Sequence, residues 1–302
     1  MLTAHNFSYG LVTPVLAYLM SCLGAFLGLR CTSRARVSAG RQKLSWLLLG
    51  ALSIGTTGIW VMHFIAMLGY TVPGHLIHYN VLITIASMLI AVIVVFIGLL
   101  IVGFAKWKAG SLLLAGTFTG IGVASMHYSG MAAIRVSARM TYNPELFFLS
   151  VVIAIVASIV ALWFTVSLSG TRATLGAALI MGVAVSGMHY TGMAAMHVFP
   201  LSQTGGGMNM SGGGATAEGF LLPLLVGISI LAFILTATLA LSPTDEELRA
   251  EEALQQRIEY ASGGAVTAQP PRAPATPTSR WPGPVASRAT QARRQAQADK
   301  AR

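Results

Sequence analysis

Charged side chains are scarce in this sequence. They make up 9% of its 302 residues, whereas hydrophobic residues make up 55% and the mean hydropathy is +0.71. Soluble globular domains carry about 25% charged residues, so the composition excludes that class and predicts an integral membrane protein. The first ten residues contain no Lys or Arg. Because a cleavable signal peptide begins with basic residues, the first apolar run is predicted to stay in the mature protein as a helix.

Acidic residues and cysteines are also few. Of the nine acidic residues, only Glu145 and Glu218 precede the C-terminal tail, so the apolar part of the chain offers almost no carboxylate ligand. The two cysteines, Cys22 and Cys31, fall at different depths of the first predicted helix. That spacing along one helix excludes a disulfide between them.

Seven apolar runs are long enough, at about 20 residues each, to cross a bilayer as helices. The predicted fold class is all-α: a polytopic membrane helix bundle of seven transmembrane helices, built from three two-helix repeats plus one. The predicted spans are 9–29, 44–68, 81–104, 111–134, 145–168, 174–197 and 220–241. Residues 9–241 are therefore predicted to form one membrane domain.

The C-terminal tail differs in composition from the rest. Residues 242–261 combine an N-cap-like Ser or Thr, acidic residues and helix formers, which predicts a short juxtamembrane helix. Residues 262–302 are rich in Ala, Pro, Arg and Gln and are predicted to be disordered. A tail of this length and composition cannot bury a catalytic core, so we expect no enzymatic activity from it.

Basic residues in the predicted loops indicate the orientation. Loops on one side hold eight, namely Arg30, Arg34, Arg36, Arg41, Lys43, Lys106, Lys108 and Arg172. The other side holds Arg135 and Arg139. The positive-inside rule then predicts a cytoplasmic C-terminus and an external N-terminus. Much of the net charge of +10 suits anionic lipid headgroups at the inner leaflet, so lipid is the expected partner rather than nucleic acid.

A short sequence motif containing methionine and histidine occurs three times. VMHFIAML starts at Val61, SMHYSGMAA at Ser125 and GMHYTGMAAMH at Gly187. Aligned on their histidines, the copies are 64 and 62 residues apart, and each lies on the second helix of a two-helix repeat. Parallel repeats of this kind predict that the three motifs surround a shared axis near the outer surface.

Each motif places a methionine four residues after its histidine, so both side chains share one helix face. Imidazole and thioether together favour copper, and thioether favours the soft Cu(I) state. Copper is therefore the predicted cofactor, and no catalytic residue is predicted. The candidate metal ligands are His63, Met67, His127, Met131, His189 and Met193, with Met62, Met126, Met188 and His197 as further candidates.

Other interpretations of these residues stay open. Histidine in a membrane helix often hydrogen-bonds a neighbouring helix, and methionine often fills packing gaps. A copper transporter or channel would use the ligands as successive stations, but the inner halves of the motif helices offer mainly hydroxyls and glycines. Haem held by two facing histidines is the third alternative, which threefold repetition suits less well.

The motifs resemble the MHYT domain, a bacterial integral membrane sensor module named for its Met-His-Tyr-Thr signature. MHYT stands intact at 188–191, as MHYS at 126–129, and as MHFI at 62–65 within GIWVMHFIAM. The resemblance covers 9–241. It implies six helices plus one in the bacterial cytoplasmic membrane, with a copper site near the outer face that senses a diatomic gas such as oxygen, carbon monoxide or nitric oxide.

Many members of that family carry a cytoplasmic diguanylate cyclase, phosphodiesterase or histidine kinase domain. The sequence shows no such domain. The resemblance therefore implies a stand-alone sensor that is not an enzyme and that acts through a separate cytoplasmic signalling protein, with the juxtamembrane helix as the expected contact.

Overall fold

Six long helices dominate the computed structural model, which describes residues 6–104, 109–168, 170–200, 214–241 and 253–258. Among these residues, six helices are long and apolar enough to cross a membrane. They are α1 (Val12–Val37), α2 (Gly40–Leu68), α3 (Val81–Phe104), α4 (Ala109–Ala132), α5 (Pro144–Ser167) and α6 (Thr171–Ala194). A further helix, α7 (Leu222–Leu241), shows a shorter apolar stretch, Gly219–Ala232, so six of the seven predicted crossings are supported.

Two predicted helix ends are wrong. Helix α1 continues eight residues beyond Leu29 to Val37, where its basic last turn suits the negative end of the helix dipole. Arg36 also ties this end to α5, because its guanidinium donates to the carbonyl oxygens of Val166, at 2.9 Å, and Leu168. Helix α6 ends at Ala194, since the chain there enters a strand.

The six long helices form a closed ring, in which neighbours in sequence pack side by side and α6 returns to α1. Small residues allow the close approach that membrane helices need for packing. A Cβ on Gly24 of α1 would collide with the backbone of Gly58 in α2, and a Cβ on Gly120 of α4 would collide with Ile155 in α5.

Helix α2 is not a regular α-helix. Its middle section, Ser53–Val61, is a nine-residue π-helix that ends two residues before His63. Segments of this kind are rare and frequent at functional sites. The fully buried Trp60 fixes this section, because its Nε1 donates to the Ser87 hydroxyl at 3.0 Å and the Thr84 carbonyl at 3.2 Å.

Two small antiparallel sheets cap the end of the ring where the motif helices finish. One joins β1 (His78–Tyr79) to β2 (Ile134–Arg135) and β5 (Ala215–Thr216), and the other pairs β3 (Ala138–Tyr142) with β4 (Met196–Pro200). Burial raises the pKa of the nearby Tyr70 hydroxyl to about 12. The all-α prediction missed this cap.

Beyond residue 242 lies a separate unit. In the predicted juxtamembrane segment 242–261, the structure describes 253–258, which are helical. The predicted disordered segment 262–302 lies outside the described residues, and so do Lys106, Lys108 and most of the glycine-rich loop after β4.

Candidate metal centre

Three buried histidines, one from each motif helix, meet on the axis of the ring. The Nδ1 atom of His63 lies 3.0 Å from Nδ1 of His189 and 3.1 Å from Nδ1 of His127. Their ring centroids are 4.9 to 5.1 Å apart and the rings are nearly perpendicular. The three side chains are at most 1% exposed, so the cluster is sealed from solvent.

Glycines of the neighbouring repeats make room for two of these rings. A Cβ on Gly130 would lie 2.5 Å from Nε2 of His63, and a Cβ on Gly192 would collide with Nε2 of His127. Each glycine stands three residues after the histidine of its own repeat. The ring of one repeat therefore packs against the backbone of the next, an arrangement that the sequence reasoning did not assign to the site.

Hydrogen bonding alone leaves this cluster unsatisfied. A neutral imidazole has one N–H donor and one acceptor nitrogen. Nδ1 of His63 faces two other Nδ1 atoms but can donate or accept only once in its ring plane, so one of these contacts lacks a proper hydrogen bond. Nε2 of His63 and Nε2 of His127 are buried and have no hydrogen-bond partner among the residues that the structure describes. Unpaired buried polar groups in a native protein call for an explanation. The crowding of the Nδ1 atoms is compatible with a bound ion, whereas the two Nε2 atoms face Gly130 and Gly192.

The candidate methionines of the three motifs are buried, as the histidines are. Met62, Met67, Met126, Met131, Met188 and Met193 are all at most 4% exposed. Most of them join the main hydrophobic core, whereas Met62 packs with Ala17 and Ala66. His197 is not on the motif helix: it lies on β4 opposite Thr141, outside the group of three histidines.

The two motif tyrosines have different surroundings, which leads to a prediction. The Tyr128 hydroxyl lies 2.6 Å from the Ser150 hydroxyl, whereas the buried Tyr190 hydroxyl has no hydrogen-bond partner in the described part of the chain. We expect Tyr128→Phe to lower the free energy of unfolding by about 1 kcal/mol. Tyr190→Phe should leave it unchanged or raise it, because an unpaired buried hydroxyl is removed. Thermal unfolding in detergent compares the two, and a larger loss for Tyr190→Phe would contradict the assignment.

Comparison with known proteins identifies the repeats. Residues 57–115 and 120–178 each match the MHYT family, described as a bacterial signalling protein N-terminal repeat. The chain is an MHYT-repeat protein. The motif around His189 lies outside both matched stretches, yet its imidazole joins those of His63 and His127. The cluster of His63, His127 and His189 therefore contains one histidine from each of three repeats.

Curated relatives with MHYT repeats are signalling proteins. The chain is 36% identical over 248 residues to "Bifunctional diguanylate cyclase/cyclic di-GMP phosphodiesterase MucR" of Pseudomonas aeruginosa, covering 80% of the chain and 35% of that protein. It is 38% identical over 198 residues to "Cyclic di-GMP phosphodiesterase NbdA" of the same organism, covering 64% and 25%. "Signaling protein YkoW" of Bacillus subtilis is 31% identical over 195 residues, covering 62% and 24%. No solved structure matches.

These relatives correct the expectation that the protein is not an enzyme. Two of them are named as enzymes of cyclic di-GMP, so MHYT repeats like those of this chain occur in enzymatic signalling proteins. The chain spans about a third of the length of the first relative and about a quarter of the others, and the matched part is the one with the MHYT repeats. The finding supports a multi-pass membrane signalling protein.

Proposed function

We propose that this protein is a membrane signalling sensor in which His63, His127 and His189 bind copper. The observation that carries the proposal is the approach of Nδ1 of His63 to 3.0 Å from Nδ1 of His189 and 3.1 Å from Nδ1 of His127, with ligand nitrogens of all three within 4.8 Å of one another. Bonds of about 2.0–2.1 Å from each nitrogen to one metal ion would separate neighbouring nitrogens by about 3.3–3.6 Å. A small adjustment of the rings would therefore let the three nitrogens share an ion.

The charge of the site favours a monovalent ion. The three imidazoles are neutral ligands, and Glu145 is the only carboxylate among the described side chains of the membrane unit. It is exposed at the start of α5. The cost of burying an unpaired charge is large and, in a continuum treatment, rises with the square of the charge. Cu(I) therefore fits better than Zn²⁺, and the buried thioethers of the same three motifs are compatible with the softer ion.

Bound copper would supply a redox-active centre able to bind a diatomic gas such as oxygen, carbon monoxide or nitric oxide. The histidines hold and orient the ion, the cap excludes water, and the motif helices link the site to the opposite end of the ring. A sensor of this kind requires the ligand to bind one arrangement of the helices better than another.

The proposed topology places the capped end outside the bacterial cytoplasmic membrane. Arg30, Arg34, Arg36 and Arg41 belong to the opposite end of the ring, which the positive-inside rule assigns to the cytoplasm. With α7 as a seventh crossing, the N-terminus lies outside and the C-terminus inside. A cytoplasmic signalling protein or domain would then receive the signal, as the names of the relatives suggest.

The geometry gives less support to the alternatives. Two histidines on opposite faces of a haem would hold their nitrogens about 4 Å apart, twice a metal–nitrogen bond, with the porphyrin between them. In the cluster the Nδ1 atoms are closer than that, and the rings contact one another edge to face. A copper channel needs ligands along its path, whereas the centre of the ring inward of the histidines is lined mainly by apolar side chains.

Metal analysis of two matched variants tests the proposal. One variant replaces His63, His127 and His189 by alanine. The control replaces His75, His78 and His197, three histidines outside the cluster. We expect detergent-purified native protein and the control to retain copper after copper-replete growth, and the cluster variant to lose at least about nine-tenths of it, equivalent to more than one tenfold step in affinity.

Three results would contradict the proposal. Equal copper in the two variants would remove the histidines as ligands. Zinc in native protein from copper-replete cells would overturn the metal assignment, and a Soret band would indicate haem. Membrane insertion of each variant is checked by size-exclusion chromatography of the purified protein.

A further inference from the structure

A cavity of about 50 Å³ lies in the centre of the helix ring, inward of the histidines. All six long helices contribute to its wall. One lining residue from each is Ser21, Gly58, Val95, Val123, Ala157 and Ala184. Protein interiors are normally packed without voids of this size, so a space shared by every helix of the bundle calls for an occupant.

The cavity wall is mainly apolar. The polar groups in it are hydroxyls, those of Ser21, Thr119, Ser158 and Thr165. Thr165 donates its hydroxyl hydrogen to the Leu162 carbonyl at 2.6 Å, within its own helix. A buried water needs two to four polar partners, whereas apolar cavities stay dry and bind apolar molecules. The lining therefore favours an apolar occupant.

The volume limits the size of that occupant. An apolar cavity of about 150 Å³ binds benzene or xenon, and about 10–15 Å³ is the least that holds one water. A space of about 50 Å³ is too small for benzene or a lipid chain and large enough for a diatomic molecule or one xenon atom.

The cavity reaches the metal centre along all three motif helices. Ile59 stands four residues before His63, Val123 four before His127, and Val185 four before His189. These residues lie one helical turn inward of the imidazoles. Met188, next to His189 in the chain, also lines the cavity. A molecule in the cavity therefore touches the turn that positions each histidine.

We infer that this cavity is a binding site for a small apolar molecule of diatomic size, which enters from the bilayer and reaches the histidines from their inner side. Apolar gases concentrate in the hydrocarbon core, so a site within the ring is supplied by the membrane rather than by the aqueous phase. Delivery to the metal rests on the proposed function. Binding in the cavity does not, since it needs no copper.

Xenon is the probe for this site, measured by ¹²⁹Xe NMR on purified protein in detergent under xenon pressure. Two variants, Ala184→Leu on α6 and Ala157→Leu on α5, fill the cavity from two neighbouring helices. Ala173→Leu is the matched control, because Ala173 is exposed on α6 and does not line the cavity. We expect a saturable xenon signal in native protein and in the control, and a loss of affinity on the order of tenfold or more in both filled variants.

The outcomes separate the cavity from the metal. Native xenon affinity in a correctly assembled Ala184→Leu or Ala157→Leu protein would overturn the inference, as would a xenon signal no larger than that of empty micelles. Copper-free protein that still binds xenon would remove the proposed function and leave the cavity site intact. Native protein that binds copper but gives no xenon signal would remove the cavity site and leave the proposed copper site intact.

Discussion

Gly192→Ala should lower the copper affinity of the protein by about 10- to 100-fold, the range seen when the support of a metal ligand is lost. A Cβ at this position would collide with Nε2 of His127. The ring cannot retreat without leaving the cluster, since its Nδ1 lies 3.1 Å from Nδ1 of His63. Gly130→Ala should act in the same way on His63, whose Nε2 would lie 2.5 Å from the new Cβ. The double variant should bind no measurable copper.

The control is Gly187→Ala, on the same helix as Gly192. A Cβ there meets no atom within 4 Å. Alanine in a helix is favoured over glycine by roughly 0.5–1 kcal/mol, so this variant should be slightly more stable and keep its copper. Competition with a Cu(I) chelator measures the affinities, and thermal unfolding measures stability. Equal affinities for Gly187→Ala and Gly192→Ala would show that the glycine does not position His127.

The sequence was sufficient for the parts of the fold that follow from local composition. Helix α3 begins and ends at the predicted residues, 81 and 104, because a turn-forming Asn80 and a basic segment bound an uninterrupted apolar run. The three motif copies likewise predicted a shared axis, and the structure brings their histidines together. Repetition carries this information because equal repeats in one bundle place equal positions at equal depth.

Features that depend on contacts between distant segments could not be predicted in this way. The cap pairs His78 with Arg135 and Thr216, and no local pattern marks strands of two residues. His197 was placed on the motif helix because its spacing continues the helical face, but pairing with β3 ends the helix before it. Gly130 and Gly192 were visible as repeated positions, yet their role required the rings of the neighbouring repeat.

The expectation of a non-enzyme failed for a different reason. It depended only on the composition of the C-terminal tail. The names of the relatives show that MHYT repeats also occur in longer proteins that are enzymes of cyclic di-GMP. The MHYT repeats carry no catalytic signature of their own, so their link to cyclic di-GMP enzymes comes from comparison and not from the chemistry of their side chains.

The second large effect is expected at the contact between α1 and the π-helical section of α2. Gly24→Ala should destabilise the protein by about 1–3 kcal/mol or more, the range for an overpacked core. Its Cβ would lie 2.5 Å from Cα of Gly58 and 2.7 Å from the Ser53 carbonyl oxygen. Both are backbone atoms, which cannot turn aside, so α1 and α2 would have to separate just inward of His63.

Gly58→Ala provides a control within the same contact. Its Cβ would lie 3.5 Å from the backbone of Ala25 and Gly24, which is ordinary van der Waals distance. We therefore expect this variant to unfold at or above the native temperature and to keep its copper, whereas Gly24→Ala should unfold at a lower temperature and lose copper. Both are measured by thermal unfolding and metal analysis of detergent-purified protein. The expected difference is that this contact tolerates a methyl group from α2 and rejects one from α1. If both variants instead lost stability and copper equally, the π-helical section would not set the position of His63 through this packing.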